Sequence, residues 1–82
     1  MNEIYCKAGR VELTKKEAFE IYEQKKYIAT STAIYQPQYS QAQKAVYFTQ
    51  ISTIKGIAKR GHFYKLTAQE INHILGYEYL AV

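Results

Sequence analysis

The chain has 82 residues, 48% of them apolar, with 11 Lys+Arg against 7 Asp+Glu and a net charge of +4. That length suits a single domain, residues 1–82, with a modest core, and excludes two independent cores. One cysteine, Cys6, excludes an internal disulfide and points to a reducing compartment. The segment MNEIYCKAGR lacks the apolar stretch of a signal peptide, and the apolar runs Ala45–Phe48 and Tyr79–Val82 are too short to span a bilayer. The expectation is a soluble, cytoplasmic protein with no membrane partner.

In chain order, Glu3 to Lys7 reads as a short strand, with Ile4 and Cys6 on one face. Ala8-Gly9-Arg10 is a turn, and Val11 to Leu13 pairs back briefly. Thr14 and Glu17 then have the spacing of a capping box: the hydroxyl accepts from the third helical amide, and the carboxylate reaches back to the cap amide. This predicts a helix from Lys15 to about Lys25 that buries Ala18, Phe19, Ile21 and Tyr22, with Lys25 and Lys26 at the negative end of its dipole.

Tyr27 to Gln36 is β-branched, aromatic and uncharged, which predicts one central strand. Pro37 cannot donate to a ladder and marks its end, leaving Gln36–Gln43 as a polar connection. A second long strand is expected over Lys44 to Ile54. Its alternation is imperfect, with Val46, Phe48 and Ile54 facing one way and Ala45, Tyr47 and Ile51 the other, as for a strand partly covered on both sides. Gly56 and Gly61 bracket the turn of a hairpin that returns along His62 to Leu66.

Thr67 and Glu70 repeat the capping box at an offset of 53 residues, starting a helix over Ala68–Leu75 that Gly76 ends. A last strand, Tyr77 to Leu80, follows. Two readings of the repeat stand: one good helix start used twice, or two β-α-β half-repeats joined by the hairpin. The fold class is α+β, about five mainly antiparallel strands with both helices packed on one face of the sheet. The expected core is Ile4, Leu13, Ala18, Phe19, Tyr22, Ile28, Ile34, Val46, Phe48, Leu66, Ile71, Ile74 and Leu80.

Charge is unevenly placed. No Asp or Glu occurs between Gln24 and Gln69, where seven Lys/Arg do; residues 1–23 carry a net −1 and residues 70–82 a net −2. The middle of the chain therefore attracts phosphate or an acidic surface. The competing reading is that these cations only solubilise strands and blunt their edges. The densest run is Lys55 to Lys65, KGIAKRGHFYK. Within it Lys55, Lys59, Arg60, His62, Tyr64 and Lys65, joined by Tyr47, are the candidate binding residues: cations for phosphates and rings for stacking. Alternation on the hairpin would place Lys55, Lys59 and Lys65 on one side.

Chemistry is harder to find. His62, with Arg60, Lys59 and Tyr64, could cleave RNA by acid and base transfer, as small toxin ribonucleases do, but His62 and Lys59 have opposite strand parity and the acid-free stretch offers no carboxylate to orient the imidazole. Glu70 and His73 share a helix face, yet a metal site needs a fuller ligand set. The glycines are too scattered for a phosphate loop, and no helix-turn-helix or RNA-binding signature is present. Neither catalytic residues nor a metal or other cofactor is expected.

In size, charge and lack of motifs the chain resembles the small accessory proteins with which bacteriophages block host machines, anti-CRISPR inhibitors among them. The resemblance is compositional and assigns no residue. It implies steric inhibition by a compact body seated in a nucleic-acid channel or on an effector surface. The sequence thus predicts a non-catalytic binding protein whose partner is nucleic acid, a nucleoprotein or an acidic protein surface. The alternatives are the ribonuclease and a self-associating module, a homodimer through the edge strand Tyr77–Val82.

Overall fold

The computed structural model describes residues 5–9 and 11–76, with side chains from Ala8 onward. The order is β1 (Tyr5–Ala8), β2 (Val11–Thr14), α1 (Lys15–Glu23), β3 (Tyr27–Ala29), β4 (Ile34–Ser40), β5 (Ala45–Ser52), β6 (Tyr64–Leu66) and α2 (Ala68–Leu75). β1 and β2 form a separate antiparallel hairpin; the other four strands form an antiparallel sheet in the order β5-β4-β3-β6. The fold is α+β. Ile4, Leu80, the strand expected over Tyr77–Leu80 and the side chain of Cys6 lie outside the described residues.

Both helices begin as their sequence predicts. Thr14 Oγ1 accepts from the Glu17 amide at 3.1 Å, and the Glu17 carboxylate accepts from the Thr14 amide at 3.4 Å. At α2 the same pair of bonds joins Thr67 and Glu70, each at 3.2 Å. The helices end differently. Gly76 closes α2 in the left-handed region at φ +77. α1 stops at Glu23, short of Lys25, because Lys25 turns left-handed at φ +55, with its amide donating to Tyr22 O and that of Lys26 to Ile21 O. This is a Schellman motif with lysine where glycine is usual.

The single long strand expected over Tyr27–Gln36 is instead a hairpin. Thr30, only 4% exposed, turns the chain: its amide donates to Ala33 O at 2.9 Å, and its hydroxyl accepts from the Ala33 amide at 3.2 Å and donates to Ala33 O at 3.0 Å. A Thr-Ser-Thr run that reads as β-branched is thus a side-chain-closed turn. Pro37 does not end a strand. It is buried in β4 opposite Phe48, and this is tolerated because the registered pairs of β4 with β3 stop at Tyr35, so no ladder partner awaits its missing N–H on that side.

The helices lie on opposite faces of the sheet, not on one. Ile28 pairs with Tyr35 and Ala29 with Ile34, so each pair shares a face and the two pairs face opposite ways. Ile28 and Tyr35 pack with Ile21 of α1 and with Ala8, Val11 and Leu13 of the hairpin. Ala29 and Ile34 pack with Ile71 of α2. The imperfect alternation of β5 follows: Val46 meets Ala18 of α1, while Ile51, at a register shift between Ile34 and Tyr35, joins the α2 side.

Of the expected core, Leu13, Ala18, Ile28, Ile34, Val46 and Ile71 are buried, and Phe48 and Leu66 half-buried. Phe19, Tyr22 and Ile74 are not core residues, being 42%, 40% and 39% exposed. On a helix this short, the two narrow positions Ala18 and Ile21 already fill the contact with the sheet. The β-α-β half-repeat also fails for the first helix, because β2 and β3 belong to different sheets. What repeats is the cap.

Two outcomes are expected on denaturation. Thr14→Ala and Thr67→Ala should each lower stability by about 1 kcal/mol. Gly9→Ala should cost more, about 2–4 kcal/mol, since Gly9 sits at φ +65 and a Cβ there would lie 2.6 Å from the hydroxyl of buried Tyr35. Urea unfolding of the three variants against wild type checks both; a Gly9→Ala variant no weaker than the cap variants refutes the packing of Tyr35 on the hairpin turn.

Candidate functional site: a basic crossover and an aromatic ridge

The basic run Lys55–Lys65 is not a β-hairpin. β5 and β6 are the two edges of the sheet, and β6 pairs with β3 through Tyr27–Leu66, Ile28–Lys65 and Ala29–Tyr64. Residues 53–63 therefore carry the chain from one edge to the other. The crossover is anchored rather than loose. The Gly56 amide donates to Ser31 O at 3.0 Å, Ala58 is buried, and Ile54 and Ile57 pack on the α2-side cluster. At its far end the His62 amide donates to Lys59 O at 2.9 Å, closing a turn with Gly61 at φ +81 in its third position, the requirement of a type II turn.

This changes which candidate residues meet. Lys55, Lys59, Arg60 and His62 are exposed on the crossover, at the end of the sheet where Ser31 turns. The parity that would have aligned Lys55, Lys59 and Lys65 does not apply, because only Lys65 is on a strand. Tyr64 and Lys65 follow on β6 but face opposite ways: Tyr64, 53% exposed, is on the Ala29 side, and Lys65 on the Ile28 side. Tyr47 lies on β5, three inter-strand spacings or roughly 14 Å from β6, where its hydroxyl donates to Gln38 Oε1 at 2.8 Å. It is not part of the crossover surface.

Neither groove described below is lined by Arg60, His62 or Tyr64. The Glu70 carboxylate, the acid next along the chain, accepts from the Thr67 amide and hydroxyl. Among the described residues no group of three or more His, Cys, Asp or Glu gathers as a metal site would need, and no helix is long and apolar enough to cross a membrane.

A second surface was not anticipated. Phe19, Tyr22 and Tyr39, each about 40% exposed, form a triangle of rings with centroid separations of 6.3 Å (Phe19–Tyr22), 6.2 Å (Phe19–Tyr39) and 6.0 Å (Tyr22–Tyr39). These are attractive edge and tilted arrangements. The triangle exists because β4 presents Tyr35, Pro37 and Tyr39 toward α1, and α1 ends its contact at Ala18 and Ile21, leaving the next residues of its turn over Tyr39. Grooves open on either side. One, of about 490 Å³, is lined by Lys15, Lys16, Phe19, Tyr39, Lys44 and Val46 among others; one of about 460 Å³ is lined by Tyr22, Lys25, Lys26, Tyr27 and Pro37 and by the first turn of α2. No acidic residue lines either. In the sequence Phe19 and Tyr22 read as core by helical spacing, and only their pairing across the fold with Tyr39 shows otherwise. No family model, curated protein or solved structure matches the chain.

The Tyr47–Gln38 bond joins exposed groups, so Tyr47→Phe should change stability by less than about 1 kcal/mol. Chemical denaturation checks it; a larger loss gives Tyr47 a structural role beyond that bond.

Proposed function

We propose that this protein is a non-catalytic binding protein that docks by charge and ring contacts on nucleic acid, or on a protein that handles nucleic acid, in the cytoplasm. One observation carries the reading: the seven cations of the acid-free stretch are all at the surface, six exposed and Lys26 half-buried. Lys55, Lys59 and Arg60 stand on a crossover held down by buried Ala58 and the Gly56–Ser31 bond, so they are displayed from an anchored segment. Less backbone ordering entropy is then lost when they meet phosphates, leaving the side-chain cost. On β6 Lys65 and Tyr64 face opposite ways, so each extends this surface only on its own side of the edge strand; His62 adds a polar ring, and Tyr47 contributes only where a partner reaches the other sheet edge.

The likeness in size and charge to bacteriophage accessory proteins supports a steric mode of action. A body of this kind would inhibit by filling a nucleic-acid channel or covering an effector surface, as an anti-CRISPR inhibitor does. Catalysis forms no part of the proposal, because His62 has no carboxylate partner within the acid-free stretch.

If Lys55, Lys59, Arg60 and Lys65 each meet one phosphate of duplex DNA, log K should fall against log salt with a slope of about −3.6. Reversing all four to Glu should abolish binding and flatten that slope while leaving the fold intact. Wild-type affinity in the folded reversal variant removes the crossover from the interface. Site-specific RNA cleavage by the wild type that vanishes in His62→Ala makes the protein a ribonuclease.

A further inference from the structure

The triangle of Phe19, Tyr22 and Tyr39 leaves three rings, two of them with hydroxyls, about 40% open to solvent. Lysines stand at both ends: Lys15, Lys16 and Lys44 by Phe19 and Tyr39, Lys25 and Lys26 by Tyr22. Tyr22 lines one groove and Phe19 and Tyr39 the other, so the ring triangle is the ridge between them, and ridge and grooves together make one candidate track. Its length, judged from the nine residues of α1, is about 12 Å between the helix ends.

The backbone gives an independent sign. Only two non-glycine residues among those described are left-handed, Lys25 at φ +55 and Lys44 at φ +51. Both are positions where glycine or asparagine is favoured and where a Cβ meets steric resistance. Each lines one of the two grooves. These two turns place one lysine at either side of the aromatic ridge.

We propose that this track binds single-stranded nucleic acid: bases stack on Phe19, Tyr22 and Tyr39, and the flanking phosphates meet Lys15, Lys16, Lys44, Lys25 and Lys26. The chemistry selects that occupant. Cations at both ends with exposed π faces between them match a chain of alternating phosphate and flat base. A duplex keeps its bases stacked inside and would leave the rings unused, whereas an unpaired strand can splay bases onto them. Glu20 and Glu23 of α1 line neither groove, although Glu23 is one helical turn from Phe19, so the charged groups lining the grooves are all lysines. The proposal shares with the preceding one the expectation of a nucleic-acid partner, but it stands on different residues.

The test is fluorescence anisotropy of a labelled oligothymidylate of about twelve nucleotides, with a duplex of the same length and polyglutamate as competitors. Wild type should bind the single strand about tenfold or more tightly than the duplex, with a log K against log salt slope of about −3.5 for five contacts. Phe19→Ala combined with Tyr39→Ala should weaken binding by about tenfold or more. Lys25→Gly combined with Lys44→Gly should make the slope about 1.4 shallower while leaving Tm unchanged or raised, a pairing that a merely structural role for these lysines would not produce. Should the ring variant fail to fold, the glycine variant still decides. Reversal of Lys55, Lys59 and Arg60 should preserve the preference for single strand over duplex, which separates this track from the crossover surface. Equal binding of duplex and single strand by the variant with Lys55, Lys59 and Arg60 reversed, wild-type affinity in the folded ring or glycine variants, or displacement of the oligonucleotide by polyglutamate at equal charge would each overturn the assignment.

Discussion

Everything in this fold depends on a strand of three residues whose adjacent side chains must both leave water in opposite directions. Ile28 and Ala29 of β3 are each fully buried, and strand geometry sends them to different faces. Neither face can then be solvated. α1 with the β1–β2 hairpin closes the Ile28 side, and α2 with the start of the crossover closes the Ala29 side. The two half-cores are small, and each relies on the other to hold β3 in place.

From that constraint the path of the chain follows. Covering both faces requires one helix before the sheet and one after it, and β6 must reach β3 to deliver α2 to the second face. Residues 53–63 make that passage around the turn end of the sheet. A crossover of this length would be loose if it were only polar. Ile54, Ile57, Ala58 and Phe63 bind it to both cores, so its cations occupy the positions left over by an apolar requirement. Basic character and burial alternate along it for that reason.

Several features were legible from local chemistry alone. The capping boxes at Thr14 and Thr67 are satisfied within four residues and needed no tertiary information. The α+β class and the two-sided covering of β5 were readable from periodicity. What was not readable depended on partners distant in sequence or on competing uses of one residue. Thr30 is β-branched and so scores as strand, yet its hydroxyl satisfies three backbone groups of a turn when a short loop must be closed. Pro37 is excluded from strands only where an N–H is needed, and β3 is too short to ask for one there. The glycines at 56 and 61 announce turns but not which strand the chain rejoins. Phe19 and Tyr22 obey the helical period, but period cannot tell a core stripe from a ridge that overhangs a neighbouring strand. Of the candidate residues, Lys55, Lys59, Arg60 and Lys65 are exposed, but their mutual placement was not readable, because the reading rested on an assumed hairpin.

The distribution of charge has a structural counterpart that sequence counts conceal. Glu17 and Glu70 are committed to the helix caps, where a carboxylate stabilises the start of the dipole. Acid in this protein is thus placed partly by the needs of folding, at the starts of helices. Lys25 and Lys44 stand differently: both take the left-handed conformation that glycine adopts more readily, while Lys25 also lies just past the C-terminus of α1, where the dipole favours a cation. Both left-handed lysines line the grooves beside the exposed rings, so the turns that end α1 and join β4 to β5 are what set a cation at either side of the aromatic ridge.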